Sequence, residues 1–154
     1  MRCLIILLLQ AGALTLPAQS DRNFIDPTGT YTLTGTIKKH QLITHSGELR
    51  ALLLDSSRVA MSFYMANSYP DNKSGAFLDT LSYQGNQAFY YPVKDSGCRI
   101  LFFFKPMTVD ISLLYTDPGS NCGFPPGVLI ATALEKKSSE RPIIQDLSAH
   151  GISP

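Results

Sequence analysis

From Thr30 onward the apolar residues recur mostly at a period of two, and no long segment carries the three-and-four spacing of an amphipathic helix. Successive side chains leave a strand on opposite faces, so this alternation predicts strands with one face buried and an all-β chain. Thr30, Thr32, Thr34 and Thr36 alternate with Tyr31, Leu33 and Ile37, which sets threonines on one face of a first strand over 30–37 and apolar groups on the other. Residues 38–47 read as a connection. Segments 49–55 and 58–65 read as a hairpin about Asp55-Ser56-Ser57, with Val59, Met61, Phe63 and Met65 forming the inward row of its second arm.

Residues 66–76 hold Pro70, Asp71, Asn72, Lys73, Ser74 and Gly75 and read as a loop. Strands over 77–83 and 87–93 flank Gln84-Gly85-Asn86, where glycine beside asparagine supplies the positive backbone angles of a tight hairpin turn. Strands over 99–105 and 107–115 meet at Lys105-Pro106, since proline cannot donate to a ladder. The run Leu101-Phe102-Phe103-Phe104 is apolar on both faces; the tail around Ile143-Ile144 is the segment available to cover its outer side. A loop rich in proline and glycine, 117–127, precedes a last strand over 128–134, giving eight in all. Eight mostly antiparallel strands joined by short connections suit an up-and-down barrel of the lipocalin or lysozyme-inhibitor kind, with a two-sheet sandwich as the alternative.

The first residues read as a secretory signal over 1–18: Arg2, the apolar run Leu4 to Leu9, and Leu16-Pro17-Ala18 as the cleavage region. The expected mature chain starts at Gln19 as one domain over 19–137 with a polar tail over 138–154, exported to the periplasm or the cell exterior. The signal is too short to span a bilayer and no later segment comes close, so no transmembrane segment is expected. Cys3 lies inside the signal. Cys98 and Cys122 are then the only thiols left in a chain bound for an oxidising compartment, and pairing is the economical reading. A structural zinc needs about four ligands, which two cysteines without a neighbouring histidine do not supply.

Without Arg2 the 13 basic side chains become 12, against 12 acidic ones, scattered along the chain. Nucleic acid has no electrostatic footprint to meet. His40 and His45 are spaced for neither a strand-face nor a helical metal pair, and His150 lies in the tail; neither a metal nor another cofactor is expected. Hydrolysis needs a nucleophile with its base or two carboxylates facing across a cleft. Asp79 and Asp110 interrupt strand-like segments and are the best candidates, but acids on the solvent face of a strand account for them more simply, so the chain is expected not to be an enzyme.

Tyr69 differs from the other tyrosines because it stands in the 66–76 loop beside Pro70, ahead of Asn72, Lys73, Ser74 and Gly75. An aromatic among hydrogen-bonding residues on a loop is the composition of a recognition surface. Lys73 adds a positive charge suited to an acidic cleft. The 117–127 loop, with Asn121 and Phe124, is the second candidate surface.

Several fragments resemble a group of small exported bacterial domains that is similar to the β-barrels used as periplasmic lysozyme inhibitors. They are Gly29-Thr30-Tyr31, Tyr69-Pro70 with Ser74-Gly75, Asp79-Thr80-Leu81 with Tyr83 and Asn86, then Cys98 and Cys122-Gly123-Phe124 leading to Gly127-Val128. Pro125, Pro126 and Glu135 depart from that pattern. The resemblance implies a Ser-Gly loop entering a hydrolase cleft, with Ser74-Gly75 as its counterpart; Phe77 and Leu78 stand where the accompanying tyrosine would follow. The leading expectation is a non-enzymatic binding protein whose partner is a cell-wall hydrolase. The alternatives are a carrier whose open barrel is lined by Met61, Phe63, Phe102 and Phe104, and an envelope structural or interaction domain.

Overall fold

The computed structural model describes residues 23–33, 36–38, 41–43, 45–67, 72–117 and 119–144. Ten strands follow one another: β1 Gly29–Leu33, β2 Thr36–Lys38, β3 Gln41–Ile43, β4 His45–Asp55, β5 Arg58–Asn67, β6 Lys73–Gln84, β7 Gln87–Tyr90, β8 Cys98–Phe104, β9 Thr108–Tyr115 and β10 Thr132–Ser138. Eight of them close an antiparallel barrel in the order β1-β10-β9-β8-β7-β6-β5-β4, while β2 and β3 pair as a separate two-stranded sheet. Each barrel strand thus lies beside its neighbours in the chain, and the up-and-down barrel is established over the sandwich. Among the described residues no helix is long and apolar enough to cross a membrane.

The strand bounds correct the sequence expectations at several points. The first strand ends at Leu33, and the supposed connection over 38–47 holds β3 and the first residues of β4. β5 and β6 run deeper into the expected 66–76 loop, to Asn67 and from Lys73, because the residues there, Ala66, Asn67, Lys73, Ser74, Gly75 and Ala76, are small or polar and carry no strand signal. β7 stops at Tyr90, just short of Pro92. The last strand spans 132–138, not 128–134, so residues from Glu135 to Ser138, three of them charged, complete the barrel against β1.

The interior is packed with large side chains: Tyr31, Leu49, Met61, Phe63, Met65, Ile100, Phe102, Phe104 and Leu134 are fully buried. Phe63 sets its ring 5.3 Å from Phe102 and 5.5 Å from Phe77, and Tyr31 lies 5.7 Å from Phe104, edge to face or tilted as aromatic quadrupoles favour. Residues 23–28 cover one end. Tyr83 donates its hydroxyl to the Ile25 carbonyl at 2.6 Å, Tyr31 donates to that of Pro27 at 2.9 Å, and Asn86 brackets the segment by accepting from the Ile25 N–H and donating to the Asn23 carbonyl. Asn86 can do this because it and Gly85 both have positive φ, 63° and 57°, the turn read from the sequence between β6 and β7.

The tail around Ile143-Ile144 does not lie over β8. Ile143 offers its carbonyl to Arg50 on β4, across the barrel from Leu101 and Phe103, which stay half-buried on the outer wall.

Candidate functional site

The opposite end of the barrel brings together the two segments singled out in the sequence. Cys98 opens β8 and is bonded to Cys122, with the Cα atoms 5.1 Å apart. The bridge holds the loop after β9 over the barrel mouth, and hydrogen bonds brace it. Ser120 donates from Oγ to Asp95 at 2.5 Å, Thr116 N–H to the Gly97 carbonyl at 2.8 Å, and Phe124 N–H to the Asn121 carbonyl at 3.0 Å. Cys122 and Gly123 take positive φ, 53° and 79°, to turn the chain so that Phe124 points inward.

Phe124 is buried, its ring 5.9 Å from that of Phe63, so it plugs the barrel and shows only a narrow margin to the cleft beside it. Gly75 makes this possible: a Cβ built there would stand 2.3 Å from the Phe124 ring. Two further bonds clamp the β5–β6 end to the same loop. Lys73 donates from Nζ to the Pro126 carbonyl at 3.2 Å, and Asn67 from Nδ2 to the Gly127 carbonyl at 3.3 Å. Ser74 and Asn72 are exposed at the rim beside them, Asn72 with φ 46°, and Asn121 is exposed on the facing loop. Tyr69, His40 and His150 lie outside the described residues, as do the signal segment and the tail beyond residue 144.

A cleft of about 440 Å³ opens beside this rim, lined by Ala76, Tyr90, Pro92, Lys94 and Phe124 among others. It exists because β6 and β7 part company. Their ladder holds only Tyr83 against Ala88 and Gln84 against Gln87, whereas β6 pairs with β5 along its whole remaining length. Above that point no ladder pair joins the two strands, and Tyr90 stacks flat on Phe77 at 3.8 Å. Burial, reinforced by the negative charge of Asp79, raises the Tyr90 pKa and keeps the phenol neutral.

Asp79 and Asp110 do not face one another. Asp79 sits on β6 opposite Met61, while Asp110 is on β9, three strands along, paired with Lys105. His45 opens β4 opposite Asn67. Among the described residues no group of three or more His, Cys, Asp or Glu stands close enough to hold a metal ion.

The sequence reading missed a second surface. Tyr91, Arg99, Leu114 and Tyr115 line a groove of about 520 Å³ on the outer wall at the β8–β9 end, with Tyr91 and Tyr115 more than half exposed. Tyr91 was expected inside a strand and is freed by the early end of β7; its place beside Pro92 was the available signal. No protein-family model matches the chain, and comparison with curated proteins and with solved structures returns no match.

Proposed function

We propose that this chain is an exported, non-enzymatic binding protein that blocks a lysozyme-type cell-wall hydrolase, using the rim that carries Asn72, Lys73, Ser74 and Gly75, with Tyr69, as its contact. The supporting observation is the clamping of that rim: Lys73 and Asn67 are bonded to the 126–127 carbonyls, Gly75 is seated on Phe124, and Ser74 is left exposed above a filled barrel. Rim residues held this way lose little conformational entropy on binding, which is how a small protein inhibitor gains affinity. Asn121 on the facing loop extends the same surface. The carrier reading needs an open interior, and Met61, Phe63, Phe102 and Phe104, all fully buried, occupy it.

The test is residual lytic activity of a panel of lysozyme-type and other peptidoglycan hydrolases titrated with the purified, oxidised protein. Saturable inhibition that weakens at least tenfold in a Tyr69→Ala, Ser74→Ala variant supports the reading. Full activity of every hydrolase at saturating protein sinks it.

A further inference from the structure

The parting of β6 from β7 leaves a length of sheet edge whose chemistry is legible. Tyr83 donates its N–H to Ser57 on the β5 side at 2.7 Å. In an antiparallel ladder the backbone groups of alternate residues point to opposite neighbours, so Phe77, Asp79 and Leu81 bond toward β5, and Ser74, Ala76, Leu78 and Thr80 present theirs toward the seam. β7 meets none of these four, and no backbone hydrogen bond among the described residues reaches them from the loops on that side. The edge from Ser74 to Thr80 is about 20 Å long at the usual strand rise.

Asp79 marks this edge. It belongs to the inward row of Phe77, Leu81 and Tyr83, all buried, yet it is exposed, because the wall beside it is open. Its Oδ1 accepts the Thr80 N–H at 2.7 Å, capping one donor of the edge, and none of its described contacts is with a cation. A charge in the inward row of an edge strand is a known guard against indiscriminate pairing. Here it also discriminates between partners. A second copy docked edge to edge about a two-fold axis near Leu78 would set two Asp79 carboxylates diagonally across the new ladder, where like charges repel. A strand carrying a basic residue at that place would neutralise the charge and release the Thr80 N–H for the ladder.

We propose that the Ser74–Thr80 edge docks an extended peptide segment of another polypeptide, which adds as a strand with an apolar side chain in the cleft beside Phe77 and a lysine or arginine two residues away against Asp79. Backbone bonding to the edge supplies affinity and alternate side chains supply selectivity, the general logic of strand addition. The period of two puts Phe77 and Asp79 in one row of β6, so the side chains that meet them leave the incoming strand on one face; the cleft walled by Ala76, Tyr90, Pro92 and Phe124 opens at the Phe77 end of that row. The inference does not rest on the hydrolase reading, since it uses the seam and not the exposed hydroxyl of Ser74.

The experiment is selection of a displayed random decapeptide library on the oxidised full chain, followed by anisotropy titration of the enriched peptides. The expected consensus is lysine or arginine followed two places on by an apolar residue, since a strand antiparallel to β6 meets Asp79 before Phe77. Methylating the peptide nitrogens of the residues that face β6 weakens binding by about tenfold or more, and methylating the alternate set leaves it unchanged, since two or three net hydrogen bonds are lost only in the first case. Asp79→Lys shifts the preference to an acidic residue at the same place. No enrichment, equal tolerance of both methylation patterns, or a basic preference that survives Asp79→Lys each overturns the proposal. So does a dimer in sedimentation that Ala76→Pro abolishes, which would assign the edge to a second copy.

Discussion

Phe124 and Gly75 work as one unit, because the ring occupies the space a side chain at residue 75 would need. Gly75→Val should therefore expel Phe124 from the mouth and lower stability by about 2 kcal/mol, the usual scale of overpacking, readable as a shift of the urea midpoint. Neither role was legible in the sequence. Period-two reasoning assigns burial only along strands, so a phenylalanine among glycines and prolines carried no inward mark, and Gly75 read as turn composition. Tyr83 was better marked, alternating with Leu81. Burial, together with the negative charge of Asp26, pushes its phenol up to about 12, and burial, with the phenol of Tyr83 and the charge of Asp26, raises that of Tyr31 further still. In the unfolded chain these phenols ionise near 10. Their contribution is then complete below pH ~10 and falls as the pH rises toward 12, because the unfolded state alone gives up the protons across that window. Phenolate absorbance at 295 nm should show these tyrosines ionising only with the loss of near-ultraviolet dichroism; ionisation of all seven tyrosines near pH 10 in the folded protein would contradict the burial argument.

Among the elements, β6 has two unequal sides, and this gives the seam a signature in the free protein. The amides of Phe77 and Leu81 lie in the β5 ladder and should be protected from hydrogen exchange, while those of Ala76 and Leu78 should exchange at least a hundredfold faster, an odd-even pattern within one strand. Uniform protection along β6 would mean that the seam is covered. The sequence announced the hairpin below this seam, because Gly85 and Asn86 are the residue types that tolerate positive φ. It did not announce where the two arms separate. Apart from Asp79, both arms keep their apolar alternation beyond the last ladder pair, and pairing depends on how the neighbouring strand is held, which no local pattern encodes. The same limit explains the last strand: Val128 and Leu129 read as sheet by composition, whereas Glu135 and Lys136 pair because β1 and β9 leave them a place in the barrel.

At the scale of the whole molecule, the barrel is stoppered at both ends by segments from outside it, residues 23–28 at one and the disulfide-held loop at the other. The first is fastened by hydrogen bonds from Tyr31, Tyr83 and Asn86, the second by Cys98–Cys122, Phe124 and the bonds from Asn67 and Lys73. The barrel was legible because strand count, alternation and short connections agree on closure; the stoppers were not, because plugging is a tertiary event. The bridge spans a sequence separation of 24, for which loop closure predicts about 3.5 kcal/mol of stabilisation. A single domain commonly has 5–15 kcal/mol in hand. Replacing both cysteines, Cys98→Ala with Cys122→Ala, should therefore lower the unfolding free energy by about 3 kcal/mol and leave the barrel folded. Its effect should be concentrated at the mouth: the Phe124 amide, bonded to the Asn121 carbonyl, loses exchange protection, while Ile100 and Phe102 in the β7–β8–β9 ladders keep theirs. If the double variant instead loses its β-sheet dichroism at 25 °C, the bridge holds the barrel itself, and the division into an autonomous wall and a pinned rim is wrong.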